Sequence, residues 1–166
     1  ADEGPLDIPI ATFGGSEDHT AILCCRSDFL SRLFFTPVRK EMEVGCPPGL
    51  TFVVAFSGVA AEKGFGAQQR YNELSLGVRQ ILALWNKAGS REDVSLASAV
   101  ESAADAPARI RSAIERAPAG EFTAARLLER FQQFVAESVE IIPGASDAFL
   151  HGDLATFGSF VDRSQQ

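Results

Sequence analysis

Polar and apolar positions change period midway along this chain. The opening "ADEGPLDIPI" reads as a loop or a short edge strand. Gly14-Gly15-Ser16 then interrupts the chain. Ser16 is placed to cap a helix whose first turn holds Glu17 and Asp18, and whose inward face would carry Ala21, Ile22, Cys24 and Cys25. "FLSRLFF" (29–35) and "VRKEMEV" (38–44) alternate with period two around Thr36-Pro37, the pattern of two strands joined by a turn. "CPPG" is a second turn. "LTFVVAF" (50–56) is apolar at odd and even positions alike, which predicts a strand buried on both faces.

Beyond it the period is helical. "SGVAAEKGFGAQQ" reads as a loop or loose helical entry. A helix is expected from Tyr71 to Lys87, with Leu74, Val78, Ile81, Leu82 and Trp85 on one face. Further helices are expected over 94–103, 108–117, 122–142, 145–151 and from Leu154 onward. Leu128, Phe131, Val135 and Ile142 would form the stripe of the longest one. Gly120, Pro143-Gly144 and Gly152-Asp153 punctuate this half, and Asp153 is a candidate cap for the last helix. Strands first and helices after give an α+β class: a short antiparallel sheet followed by packed helices.

Length and charge narrow the function classes. The 166 residues suit one domain or part of a larger protein. The 22 acidic against 15 basic residues give a net charge of −7, with no basic run. That balance argues against a nucleic-acid or anionic-membrane surface. The apolar runs are too short to span a bilayer. Cys24, Cys25 and Cys46 form no disulfide framework and suit a reducing compartment such as the cytoplasm. No metal-ligand spacing links them to His19 or His151, so no metal site is expected. The chain lacks a starting Met and ends in mid-pattern, as expected of a fragment.

Asp18 is the leading candidate for chemistry. A carboxylate in a helix's first turn is kept ionised by the dipole, and Gly14 and Gly15 permit close backbone approach by a ligand. Such an acid can orient or deprotonate a hydroxyl. The plain alternative is that Ser16, Glu17 and Asp18 only start a helix, and local pattern alone favours it. Tyr71, the only tyrosine, could offer its hydroxyl to a polar ligand or simply pack. Gly64 and Gly66 superficially resemble a phosphate loop but lack its third glycine and its Lys-Ser/Thr, so a turn is the better reading. His151 reads as a helix C-terminal residue, "FQQF" as core, and Cys24 and Cys25 as inert packing.

Three stretches, in order, resemble the galactokinase branch of the GHMP small-molecule kinases: "GGSEDHTAIL", "LTFVVAFSGVAAEKGFGAQQRYN" and "FQQFVAESVEIIPGASDAFLHGDLATFGSFVDRSQ". The resemblance implies that Asp18 is the catalytic aspartate, that Gly15 lies against the sugar, and that the Tyr71 hydroxyl reaches it. His19 stands where the family usually has Gln, and Glu73 and Leu74 where basic residues often follow "YN". The family's N-terminal sugar signature, its "GLGSSAA"-type phosphate loop and its C-terminal glycine-rich motif are absent. The resemblance therefore implies the middle of such a kinase. Residues 1–45 would be the end of its N-terminal domain with crossover strands, and 46–166 an incomplete C-terminal domain. It implies ATP and Mg2+ as cofactors, held mainly by motifs outside this chain. A monosaccharide, galactose or a related sugar, would be the substrate, phosphorylated at its anomeric hydroxyl. Two alternatives stand beside it: a non-catalytic module that binds sugar or a partner, and a kinase for another sugar such as L-arabinose, fucose or a uronic acid.

Overall fold

The computed structural model describes residues 17–59, 65–118 and 120–165, with the backbone alone at 17 and 65–71. The expected segment at 1–10, the Ser16 cap and Gly15 lie outside these residues. The architecture is α+β. Helix α1 spans Glu17–Cys24, strands β1 and β2 span Phe29–Phe34 and Arg39–Gly45, and the rest is helical.

The two strands form an antiparallel pair in which Leu30 faces Val44 and Arg32 faces Met42, with an irregularity between Arg32 and Leu33. The Thr36-Pro37 peptide in the connecting turn is cis. The two faces divide as a half-buried sheet requires. Leu30, Met42 and the buried Val44 line one side. Glu43 lies on the other, where it draws in Arg26 at 3.1 Å, Lys40 at 2.8 Å and the Ser31 hydroxyl at 3.4 Å.

Helix α2 (Phe65–Gly89), α3 (Leu96–Glu101), α4 (Ala106–Glu115) and α5 (Ala124–Val135) enclose the main core. Ile81, Trp85, Leu96, Ile110, Leu127 and Phe131 lie at its centre, each no more than 2% exposed. Helix starts are fixed locally. Ser95 and Ser98 form a reciprocal capping box, and the Thr123 hydroxyl accepts from the Arg126 N–H.

The expected break at Pro143-Gly144 does not occur. Helix α5 runs into a π-helical stretch, Ala136–Ile141, and then directly into α6 (Ile142–Leu150). Proline in a regular helix clashes with the carbonyl four residues back, and a wide turn just upstream accommodates it. The altered phase buries Ile141 and leaves Ile142 46% exposed, the reverse of the expected stripe. Helix α7 (Leu154–Ser164) packs back on α6. The Asp153 carboxylate caps it as expected, accepting from the Thr156 N–H at 3.0 Å and hydroxyl at 2.7 Å. β2 packs against α6, so Val44 is covered from beyond the expected boundary at residue 45.

Two expectations fail. Ile22 and Leu23 are about four-fifths exposed and Cys24 and Cys25 are also exposed, so α1 has no inward face and the cysteines are not packing residues. Residues 50–56 form no ladder, although "CPPG" does turn, with the Leu50 N–H donating to the Pro47 carbonyl at 3.3 Å. Both segments carry the right side chains for burial, and neither finds a covering element among the described residues.

Candidate functional site

Helix α1 places Asp18 in its first turn, as the sequence predicts. The side chain is exposed. Among the described residues no hydrogen bond or ion pair engages its carboxylate. Tyr71 is not at a helix start: α2 begins at Phe65, which sets Tyr71 in its second turn; of the stretch expected as a loop or loose helical entry, 65–69, including Gly66, is helix. Its side chain, like Gly15, lies outside the described residues, so Asp18 alone of the three sugar-site candidates has described side-chain surroundings. His151 ends α6, with its Nδ1 2.8 Å from the Asp147 carbonyl.

Two of the cavities formed by described residues lie away from Asp18, which lines neither. One, of about 430 Å3, lies between the hairpin and α6–α7 and is walled by Leu30, Met42, Val44, Phe149 and Phe157. Its floor is a ring pair, Phe149 and Phe157, with centroids 5.2 Å apart. The other, of about 340 Å3, lies between α2 and α5. There Arg126 pairs with Glu73 at 3.0 Å, while Arg130 donates to Gln133 at 2.8 Å. Burial lowers the Arg130 pKa from its usual range.

The most connected polar group was not among the sequence candidates. Asp93 accepts from the Trp85 indole N–H at 2.7 Å and from Arg91 Nε at 2.6 Å, and its backbone exchanges hydrogen bonds with the Asn86 amide at 2.9 and 3.1 Å. Arg91's hydrogen bond, against the opposing effect of burial, holds the Asp93 carboxyl below its usual range. The guanidinium groups of Arg91 and Arg109 lie 5.2 and 5.1 Å from the Trp85 ring centre. This cluster ties the end of α2 to the start of α3 and α4. It is structural: the Asp93 carboxylate is taken up by Trp85 and Arg91, and its backbone by Asn86.

No group of His, Cys, Asp or Glu able to hold a metal gathers among the described residues. No described helix is long and apolar enough to cross a membrane. No protein-family model, curated protein or solved structure matches the chain.

Proposed function

We propose that this chain is the catalytic-aspartate segment of a galactokinase-like GHMP kinase, a phosphotransferase acting on an alcohol group. The observation that carries the reading is Asp18, an exposed carboxylate in the first turn of α1 that no described residue engages. It stands in "GGSEDHTAIL", followed in order by the hairpin, "LTFVVAF" and the long helix bearing "YN". Asp18 orients a monosaccharide hydroxyl, the anomeric one, and takes its proton as the oxygen attacks phosphorus. Gly15 and Tyr71 hold the sugar. The sequence has no phosphate loop, so in this reading the chain's share is the acid and part of the sugar site. ATP and Mg2+ belong to motifs outside it.

A non-catalytic sugar- or partner-binding module is the second reading. Its support is that the sequence carries no phosphate loop.

The test is Asp18→Asn in the complete protein, assayed with ATP, Mg2+ and a panel of monosaccharides. Asn still suits a helix's first turn but cannot take the proton. A kcat loss of about 10²–10⁴-fold is expected, with little change in melting temperature. Wild-type kcat in the variant, or no sugar phosphorylated by the parent protein, would leave the module reading in its place.

A further inference from the structure

The cavity between α2 and α5 is lined by a charge that the described residues do not balance. Arg130 lies on its wall, with its stem against α2 at Gly77, where a Cβ would sit 3.8 Å from the Arg130 Cγ. Its Nη1 donates to the Gln133 side-chain carbonyl at 2.8 Å, a neutral acceptor. Its Nε is buried and meets no acceptor. Nη2 makes no bond either but is not buried, so it is the atom an entering group reaches. Arg32, Arg91, Arg126 and Arg163 each sit against a carboxylate, whereas no described acid pairs with Arg130. Burial lowers its pKa, and no neighbouring charge offsets the loss of water. A desolvated cation without a counter-ion is costly, which is why buried charges are found paired.

We propose that this cavity binds a small organic monocarboxylate, whose carboxylate pairs with the Arg130 guanidinium and whose apolar body lies on Leu74, Phe122 and Leu127. The planar donors of a guanidinium match the two oxygens of a carboxylate. Charge sets the valence. The second cation of the wall, Arg126, is already taken by Glu73 at 3.0 Å, and Glu129 is an exposed acid on the same wall. One uncompensated positive charge beside one further acid suits a monoanion and disfavours a phosphate dianion. The volume, about 340 Å3, falls at the lower end for small-molecule sites, and apolar walls with few polar groups are their usual lining. The net charge of −7 opposes the approach of any anion, so the affinity is modest, about millimolar. The site uses neither Asp18 nor a sugar contact, so it stands or falls apart from the kinase reading.

Titration of the chain with phenylacetate and with 4-methylpentanoate at neutral pH tests it, followed by NMR at the Arg130 Nε–H and the backbone amides of 73–77 and 122–133. Saturable shifts at those signals are expected. Phenylacetamide carries the same body without the charge, and phenyl phosphate carries a second charge; each is expected to bind about tenfold more weakly than phenylacetate. Arg130→Gln removes the charge and is expected to weaken phenylacetate to the same extent. Because that charge lacks a counter-ion, the variant should melt close to the parent, so its weaker binding is not a loss of fold. If it fails to fold, the comparison of phenylacetate with phenylacetamide on the parent chain still decides. No shift with either acid overturns the proposal. So does an amide that binds as well as the acid, or binding that survives Arg130→Gln. Phenyl phosphate binding as tightly as phenylacetate would make this a phosphate site and overturn the carboxylate assignment equally.

Discussion

At the scale of single residues, Asp93 and Asp18 are opposites. Asp93 has every acceptor engaged, whereas Asp18 has none engaged by a described residue. Asp93→Asn keeps the shape but weakens charge-assisted bonds to Arg91 and Trp85, for an expected cost of about 1–2 kcal/mol in denaturant unfolding followed by Trp85 fluorescence. The pH dependence has a definite sign. The folded carboxyl titrates below its usual value of 3.8, so near that pH the unfolded chain binds more protons and stability rises with pH. The advantage of the parent over the variant is full above that value and disappears as pH falls through the depressed folded pKa. An advantage that grew on acidification would contradict the assignment. None of this was legible in "REDV", because the partners of Asp93 are brought to it by the end of α2. Asp18 was legible as a first-turn acid, since that depends on neighbours in sequence alone.

At the scale of elements, local signals were read well wherever a segment finds its own partner. The hairpin matches within a residue at each strand end, because alternation and the Thr36-Pro37 turn specify it without help. The Asp153 cap holds for the same reason. The inward face of α1 and the 50–56 strand were misread because periodicity states what a segment can bury, not what is there to cover it. Pro143-Gly144 was misread as a stop, since a π turn has no local signature. Its glycine has a tertiary use: a Cβ at 144 would lie 2.3 Å from the Phe160 ring, so α6 and α7 approach as closely as they do only with glycine there. Gly144→Ala should cost about 1–3 kcal/mol by forcing the ring aside or the helices apart. Adding Phe160→Leu should return part of that loss, so the double variant is more stable than the sum of the singles predicts. Gly144→Ala melting with the parent would show the contact to be slack.

At the scale of the whole molecule, the α+β order was legible because strand and helix periods occupy separate stretches of sequence. The arrangement of elements was not. β2 lands on α6 across a separation in sequence that no pattern records, and the helices gather their core around Ile81, Trp85 and Phe131. This bears on what the chain can do by itself. Phosphoryl transfer relies on positioning and on charge neutralisation around the moving group, with little else for the protein to contribute. A general base alone supplies about 10²–10⁴-fold of a much larger acceleration. Residues 1–166 offer Asp18 without a phosphate loop in the sequence and without a metal-holding group among the described residues. Incubated with ATP, Mg2+ and galactose, the purified chain should therefore make no sugar 1-phosphate above the level of its Asp18→Asn variant. ATP with Mg2+ should also leave its melting temperature unchanged, because a ligand that finds no site on the folded state cannot shift the unfolding equilibrium. The two readouts are independent. Stabilisation by ATP without turnover would reveal a nucleotide site unannounced by any motif, and Asp18-dependent product would mean that these 166 residues position both substrates unaided.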